Sequence, residues 1–480
     1  MSASAASFRD PENFAVSVAG AWFRVANPAS AKALRLLSES PLKTELVTEG
    51  SLVDFGEVDS AHASNVLGQI ESSANRYLPR EATLFWVESV ELISYPWEWP
   101  NRLLAAAAEF TLALRDRLLD IGLDLKDASA TNIQFRGTQP VLLDIGSIER
   151  WRPNPSWNAS RQFIEHFINP LAVGASPHVS SADAWRLSQY RGLRTDAARE
   201  LMPNKLRRRP SLSLLQATTR PVKSNKPSET RFADQARENP ELALKATRSL
   251  SRKMHKVVAN LDSGIHATTW ADYGKRDHYA SEALERKYAL TKDFVTRDEL
   301  RSDLILDIGG NDGLIGERLA AELKARVIVM DADSGALDAL ASKLGSTSSR
   351  VTPWLGDMTN PFPASGLLDQ EFASLHQRVK PTAVLCQAVL HHIVITQGVP
   401  MQLAVDALAS FGAPVQIEFA EPEDEKVRIL LSQIPNWSGD YSVNSLLTSL
   451  RRRFASVLVQ GSTSETRLVV AAESADSISP

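Results

Sequence analysis

The chain has 480 residues, a length that fits two or three domains of ordinary size. Hydrophobic residues make up 43% and charged residues 23%, which excludes a chain that is disordered, collagen-like or coiled-coil throughout. With 53 Lys and Arg against 57 Asp and Glu, the formal net charge is −4. No overall positive field draws the molecule to nucleic acid or to an anionic membrane, so any such binding has to be local.

Cysteine usage and the amino-terminal segment predict a cytoplasmic protein. The single cysteine, Cys386, cannot form an internal disulfide, and no Cys/His cluster has the spacing of a zinc site, so we predict no metal centre. The first residues lack the apolar core of a secretory signal. The longest stretch without Lys, Arg, Asp or Glu, 381–405, is interrupted by polar residues, and we interpret it as a buried strand followed by a functional loop.

The residue pattern in the first part of the chain, 1–204, predicts an α+β domain. Hydrophobic patterns predict strands at 16–25, 45–55 and 83–92 and a helix at 30–38. A long apolar-periodic helix at 97–121 ends before Gly122. A polar loop and two further strands follow it.

The composition of the segment 205–261 predicts a basic linker that contains a helix. Between residues 205 and 256 it has fourteen Lys and Arg against four Asp and Glu, a net charge of +10. Prolines indicate an exposed start, and 240–261 has the pattern of a solvated helix. We interpret the segment as a flexible tether; the alternative is a docking strip for a phosphate-bearing partner.

Strands and helices then alternate regularly over 262–480. Strands are predicted at 304–307, 326–330, 351–355, 383–389 and 415–419, with helices between most of them. This alternation indicates an α/β fold, a parallel sheet covered on both faces. A last strand pair, at 454–460 and 466–472, predicts an antiparallel hairpin at one edge.

The first of these strands leads into the most informative motif, Asp307-x-Gly309-x-Asn311-x-Gly313. Glycines let the backbone turn sharply and approach a ligand, and the following helix start offers unpaired amides. Asp331 comes 24 residues after Asp307, at the end of the second strand, where an acid can accept both hydroxyls of a ribose. The combination predicts a nucleoside-binding site.

The motif disfavours NAD, because residues 311 and 314 are not the glycines that G-x-G-x-x-G requires. It closely resembles motif I of class I S-adenosylmethionine-dependent methyltransferases, and the resemblance extends over about 270–472. It implies S-adenosylmethionine as cofactor and a Rossmann-like, seven-stranded sheet. The cofactor-binding residues implied are Asp307 for the methionine moiety, Asp331 for the ribose and Asp357 for the adenine, together with Gly309, Gly310, Asn311, Gly313 and Met358. For Asp357, capping of a turn or helix is the alternative.

The fourth strand of this region ends near His391 and His392. Methyl transfer needs an aligned acceptor and, for a hydroxyl, a group that removes its proton, which histidine suits because its pKa lies near neutrality. Both histidines are candidate catalytic bases; the alternative is that one imidazole holds the loop or shapes the cofactor pocket.

An acidic rim follows the fifth strand, formed by Glu418, Glu421 and Asp424. We predict that Glu418 and Glu421 bind a polar or cationic acceptor, with capping of the helix that starts near Asp424 as the equal alternative. Cys386 is expected to pack within the sheet.

The first part of the chain holds a second constellation. Asp127 is followed five residues later by Asn132, and Asp144 opens an Asp-x-Gly after an apolar strand, which resembles the catalytic and metal loops of protein kinases and aminoglycoside phosphotransferases. By this resemblance Asp127 matches the catalytic base and Asn132 and Asp144 the magnesium ligands, which implies Mg-ATP as a further ligand. Leu125 replaces the usual histidine, and no glycine-rich phosphate loop or strand lysine is evident before residue 92. The alternative is that Asp127 and Asn132 brace a tight loop.

Both parts together resemble a bacterial family of methyltransferases that includes nodulation proteins of the NoeA type, most clearly at 94–99, 125–135 and 416–419. The resemblance implies a kinase-like domain at 1–204, the basic linker at 205–261 and a methyltransferase domain at 262–480. The expected function is O- or N-methylation of a small polar or glycan acceptor. The alternative is ATP-dependent phosphotransfer in the first domain, with the second methylating or only sensing S-adenosylmethionine. We expect no membrane partner and disfavour nucleic acid.

Overall fold

The computed structural model describes residues 2–3, 10–73, 78–153, 157–217, 219, 238–261, 281–297, 303–345, 350–434 and 437–473. The chain divides into two compact units. The first holds 1–266 with 346–348 and 365–372, and the second holds 267–345, 349–364 and 373–480. The predicted start of a second domain at residue 262 lies outside the described residues. Within the described ranges, no helix is both long and apolar enough to span a bilayer.

The first unit begins with an antiparallel five-stranded sheet. In spatial order its strands are β1 (Ser2–Ala3), β2 (Phe14–Val18), β3 (Ala21–Ala26), β5 (Thr83–Val87) and β4 (Phe55–Glu57). The prediction of one strand over 16–25 is wrong, because the chain forms a β2–β3 hairpin there. Ala19 and Gly20 have φ values of 51° and 84°, which make the tight turn that joins the two strands.

Three helices lie between these strands in the sequence: α1 (Pro28–Glu39), α2 (Pro41–Thr48) and α3 (Ser60–Ser73). The strand predicted over 45–55 is wrong at its start, because α2 occupies that stretch. Its beginning carries a strong helix signal: the Ser40 side chain accepts a hydrogen bond from the Leu42 N–H, and proline occupies the first helical position.

The rest of the first unit is built around the long helix α4 (Asn101–Asp120), close to the predicted 97–121. Strand β6 (Leu123–Leu125) pairs with β9 (Ile148–Arg150), and β7 (Ile133–Arg136) forms a hairpin with β8 (Gln139–Leu142). The helices that follow are α5 (Ser160–Phe163), α6 (Asn169–Gly174), α7 (Ser181–Leu187), α8 (Thr195–Leu201), α9 (Asn204–Arg207), α10 (Pro210–Ala217) and α11 (Pro240–Leu261). A π-helical turn, Ile164–Ile168, separates α5 from α6.

Helix α11 has the predicted bounds but not the predicted solvated environment. One of its faces, which includes Met254 and Val258, is buried, and the helix packs against α4. Across this contact the His255 imidazole lies between two carboxylates, with Nδ1 2.6 Å from Glu109 Oε1 and Nε2 3.1 Å from Asp116 Oδ2. Because the buried face contains small and polar residues among its apolar ones, its pattern alone did not reveal the packing. The remainder of the basic segment, 220–237, lies outside the described residues.

This contact predicts a pH dependence of stability. Hydrogen bonds with Asp116 and Glu109 raise the pKa of His255 from 6.5 to about 9. Because the pKa of His255 is higher in the folded than in the unfolded protein, its charged form stabilises the fold fully below pH 6.5. This stabilisation is lost as the pH rises through about 9. We expect the free energy of unfolding to fall between pH 6.5 and 9.5, and the fall to be smaller in His255→Gln, as measured by urea unfolding at both pH values. Replacing the exposed His178 with Gln is the control, and equal falls in both variants would contradict the assignment.

The second unit contains a seven-stranded mixed sheet. In spatial order its strands are β12 (Val351–Leu355), β11 (Arg326–Asp331), β10 (Leu304–Ile308), β13 (Ala383–Gln387), β14 (Val415–Ala420), β16 (Arg467–Glu473) and β15 (Ser456–Ser464). The five strands from β12 to β14 are parallel, and β16 is antiparallel to both of its neighbours. This order fits a Rossmann-like fold with a terminal hairpin. The direction of strand addition reverses between β10 and β13, the point of an open α/β sheet at which ligands bind.

The helices of the second unit follow the α/β alternation that the sequence predicted. They are α12 (Ser281–Val295), α13 (Leu314–Leu323), α14 (Ser334–Leu344), α15 (Leu375–Arg378), α16 (Met401–Ala409), α17 (Glu425–Gln433) and α18 (Val443–Arg451). Every residue of β12, β13 and β14 is buried, as expected for a parallel sheet covered on both faces.

Candidate active site

The loop after β10 forms a tight, closely packed turn. Gly309, Asn311 and Gly313 have φ values of 68°, 48° and 75°, in the left-handed region that favours glycine. The Gly309 N–H donates to the Met330 carbonyl at 2.7 Å. A Cβ atom at residue 309 would lie 2.1 Å from Val389 Cγ2, so only glycine lets this loop pack against the loop that follows β13. The predicted glycine turn therefore lies at the β10–β13 reversal point.

Asp331 ends β11 and joins the first two loops of the site. Its Oδ2 accepts a hydrogen bond from the Asn311 N–H at 3.0 Å, and its Oδ1 accepts one from the Asp333 N–H at 2.8 Å. Burial raises the pKa of this carboxyl. The two backbone donors fix the carboxylate, and each oxygen keeps a lone pair with which to accept a hydroxyl.

Asp307 lies within β10 rather than at its end and is only 3% exposed. A Cβ atom at Gly310 would lie 2.7 Å from Asp307 Oδ2, so the carboxyl is covered by the turn. Burial, with a smaller contribution from Asp331, raises the pKa of Asp307 to about 7, and the nearby Lys287 opposes this. A cationic ligand near the turn would favour the ionised carboxylate.

Asp357 and Met358 come directly after β12. The pairing of Asp331 with Leu355 places them at the same edge of the sheet as the turn. Asp357 Oδ1 accepts hydrogen bonds from the Thr359 N–H at 2.8 Å and from its hydroxyl at 2.7 Å, so this side chain caps its own turn. Met358 is buried. Asp357 therefore caps a turn, as the alternative interpretation held. Its second carboxylate oxygen is the atom to consider for ligand binding.

The segment after β13 brings the two histidines together. Ala388 has a φ of 59°, a strained conformation for a residue with a Cβ atom, and a π-helical turn, His392–Thr396, follows. Both features are common near functional sites. The rings of His391 and His392 lie 4.2 Å apart between centroids.

The two imidazoles differ in their surroundings. His391 is 4% exposed, and its Nδ1 has no hydrogen-bond partner among the described atoms. Burial, with the neighbouring His392, lowers the pKa of His391 to about 3, whereas burial alone lowers the pKa of His392. Both imidazoles are therefore harder to protonate than an ordinary histidine.

The predicted acidic rim is divided by the structure. Glu418 lies inside: its Oε2 is 2.8 Å from Lys287 Nζ, and its Oε1 accepts a hydrogen bond from the Thr463 hydroxyl at 2.5 Å. Burial works against ionisation of Glu418, but the ammonium of Lys287 lowers its pKa below the usual value. Both oxygens are thus occupied by an internal brace.

Asp424 caps helix α17, as the alternative interpretation held. Its Oδ1 accepts a hydrogen bond from the Lys426 N–H at 2.9 Å, and its Oδ2 is 2.8 Å from Arg467 Nε. Glu421 is half-buried, and its N–H donates to the Thr466 carbonyl at 2.8 Å. Of the predicted acids, Glu421 is the one left for contact with an acceptor.

Cys386 is buried in β13, as predicted. Burial raises the pKa of its thiol to about 12, so the thiol stays protonated near neutral pH and does not act as a nucleophile.

The polar loop of the first unit is held from several directions. Asp127 Oδ1 accepts a hydrogen bond from the Ser129 N–H at 2.8 Å. The Ala128 N–H donates to Gln162 Oε1 at 2.8 Å, and the Ala130 N–H donates to His166 Nδ1 at 3.3 Å. His166 lies in the π-helical turn of this unit, and burial lowers its pKa to about 4, which keeps Nδ1 available as an acceptor. Asp127 therefore braces its own loop, as the alternative interpretation held.

Asp144 follows β8 and forms an ion pair with Arg24 of β3. Asn132 Nδ2 is buried and has no hydrogen-bond partner among the described atoms. Sequence analysis missed Arg24, Gln162 and His166. These residues lie far along the chain from their partners, and no local motif contains them.

No protein-family model matches the chain. The chain is 27% identical over 450 residues to Nodulation protein NoeA of Rhizobium meliloti (strain 1021), an alignment that covers 94% of this chain and 91% of that protein. The predicted resemblance to NoeA is confirmed. At 94% coverage, the alignment extends over both units.

Several solved structures align with part of the chain. Monomeric WbdD aligns at 15% identity over 44% of this chain and 45% of its own, with a TM-score of 0.30, and the bifunctional kinase-methyltransferase WbdD aligns at 17% identity over 44% and 43%, also with a TM-score of 0.30. The magnesium protoporphyrin IX methyltransferase ChlM from Synechocystis PCC 6803 with bound SAH aligns at 15% identity over 40% and 83%, with a TM-score of 0.28. The aligned part of this chain spans less than half the length of the WbdD chains.

Proposed function

We propose that the second unit is an S-adenosylmethionine-dependent methyltransferase that acts on an oxygen or nitrogen of a small polar or glycan acceptor. The observation that carries the proposal is the pairing of the glycine turn with Asp331 at the reversal point of the sheet. One loop presents a tight backbone, and the neighbouring strand presents a fixed carboxylate. This arrangement suits an adenosine whose ribose hydroxyls donate to Asp331.

The cofactor would be held by the residues that surround this turn. Gly309, Gly310, Asn311 and Gly313 supply the backbone surface, and Asp307 supplies a buried negative charge for the amino acid moiety. Asp357 and Met358 suit the adenine end, because they follow the next strand at the same edge. The cofactor, when bound, supplies the methyl group and its own leaving group.

The chain's own contribution to the reaction is to align the acceptor and to accept a proton. We assign the proton acceptor to His392, because His392 is partly exposed whereas His391 is buried. His391 then shapes the pocket through its buried ring. Glu421 is the proposed acceptor-binding acid, since Glu418 is held by Lys287 and Thr463.

We also propose a kinase-like fold for the first unit, with Mg-ATP-dependent phosphotransfer as its alternative activity. The support is the long helix α4, where the resemblance implied a helix, and the β7–β8 hairpin that follows it, which the β6–β9 pair brackets in the sequence. Asp127 and Asp144 each come shortly after one of these strands. We further propose a cytoplasmic protein without a nucleic-acid partner.

The proposal is tested by titration and by transfer of label. We expect the full chain to bind S-adenosylhomocysteine at one site by isothermal titration calorimetry. We also expect it to move labelled methyl from S-adenosylmethionine into a fraction of small polar metabolites and glycans. His392→Gln should reduce transfer by about 100-fold or more, because a positioned base contributes at least that much, while leaving binding unchanged.

A matched variant at the adjacent residue, His391→Gln, should affect the pH profile of transfer less than His392→Gln does. Absence of S-adenosylhomocysteine binding to the wild-type chain would overturn the function. If His392→Gln binds S-adenosylhomocysteine and transfers methyl as fast as the wild type, only the assignment of the base is overturned.

A further inference from the structure

The acids of the first unit are arranged around an arginine. Arg24, a buried residue of β3, makes an ion pair with Asp144 Oδ1 and donates from Nη1 to the Asn13 carbonyl at 2.8 Å. Asp10 and Asp127 lie close enough to favour its charged form. An arginine guanidinium stays protonated in proteins, so this side chain is a fixed cation.

The Asp-x-Gly turn is shaped around this guanidinium. Asp144 Oδ1 accepts a hydrogen bond from the Gly146 N–H at 2.9 Å. A Cβ atom at residue 146 would lie 2.9 Å from Arg24 Nη1 and 3.1 Å from Asp144 Oδ1. The glycine of this motif therefore leaves room for the arginine side chain beside the carboxylate.

The same residues do not fit the magnesium ion that a kinase-like resemblance implies. Mg²⁺ requires carboxylate oxygens at about 2.0–2.1 Å in near-octahedral geometry. Asp144 Oδ1 is already shared by Arg24 and the Gly146 N–H, so a metal ion bound to this oxygen would have to displace the guanidinium. A divalent ion at Asp144 would also lie against the fixed positive charge of a buried guanidinium, which repels it.

We infer that the guanidinium of Arg24 takes the place of a divalent cation at Asp144, so that the first unit carries an internal cation and does not bind metal at this carboxylate. This inference goes beyond the proposed methyltransferase function and does not depend on it, and it argues against the alternative of Mg-ATP-dependent phosphotransfer in the first unit. It assigns Arg24 the role of excluding metal from Asp144.

The inference is tested by titrating the full chain with Mn²⁺. The free ion is measured by its electron paramagnetic resonance signal. We expect wild-type protein and Asp144→Asn to bind Mn²⁺ equally, through weak surface sites alone. Arg24→Met, which keeps the side-chain volume but removes the charge, should bind at least about tenfold more tightly than wild type, a change of about 1.4 kcal/mol. The gain should disappear in Arg24→Met/Asp144→Asn.

The matched control is Arg35→Met, because Arg35 pairs with Glu57 on the surface of the same unit and should show no gain. Two results would overturn the inference: wild-type Mn²⁺ binding that Asp144→Asn removes, or an Arg24→Met protein that folds by circular dichroism and gains no binding. If Arg24→Met does not fold, the comparison of wild type with Asp144→Asn decides. Metal binding lost in Asp144→Asn refutes the inference, and equal binding supports it.

Discussion

Lys287→Met is expected to lower the free energy of unfolding of the second unit by about 3–5 kcal/mol, the usual cost of leaving a buried charge without its partner. Lys287 Nζ lies 2.8 Å from Glu418 Oε2, and the two side chains are 10% and 1% exposed. Methionine fills the space of the lysine stem but leaves the Glu418 carboxylate without its counter-charge. Urea unfolding followed by circular dichroism measures the effect.

Helix α12 offers a closely matched control for this variant. Lys292 lies on the same helix and is also 2.8 Å from a carboxylate, Glu322, but these side chains are 45% and 41% exposed. Lys292→Met should cost less than about 1 kcal/mol, because solvent screens exposed ion pairs. Adding Glu418→Gln to Lys287→Met should recover part of the lost stability. Equal effects of the two lysine variants would show that Glu418 is not held as described.

Asp331→Ala is expected to weaken binding of S-adenosylhomocysteine by at least about 100-fold. Each hydroxyl that donates to a charged acceptor contributes about 1.5 kcal/mol or more, and each 1.4 kcal/mol corresponds to about tenfold in affinity. The carboxylate also fixes the Asn311 backbone, so its removal loosens the turn on which the ligand rests. Isothermal titration calorimetry on the full chain measures the loss.

Asp406→Ala is the control, because this acid of the second unit pairs with Arg453 on the surface and should leave binding unchanged. Asp331→Asn provides a milder change, since the amide keeps one oxygen acceptor, and should fall between wild type and Asp331→Ala. If a folded Asp331→Ala protein binds S-adenosylhomocysteine as tightly as the wild type does, the nucleoside site lies elsewhere.

The local patterns of the second unit were sufficient to predict its elements. Strand β12 has the predicted bounds, and the strand predicted at 326–330 lies within β11, whose residues 327–330 form an uninterrupted apolar run. The turn at Gly309 was also predicted, since its glycines are adjacent in the sequence. Its packing against Val389 was not, because it requires the approach of a second loop.

Interactions between distant residues were beyond sequence reasoning. Lys287 and Glu418 are separated by 131 positions, and Arg24 pairs with an acid that follows another strand. Glu418 therefore looked like an exposed acid of the rim, although it is one of the most buried charges in the described residues. Helix α2 was missed for a different reason: its start signal at Ser40 was outweighed by β-branched and apolar residues further on.

The pairing of β10 with β13 also affects when the glycine turn can form during synthesis. Ile305 pairs with Ala383, so the central strand of the sheet gains its second neighbour only after a long stretch of intervening chain has left the ribosome. Closing such a loop is entropically costly and slow. A nascent chain that ends before Val389 can pair β10, β11 and β12 but lacks the side chain against which Gly309 packs. We therefore expect the glycine turn to fold late, and slow translation of 344–389 to prolong the exposure of the unpaired backbone edge of β10.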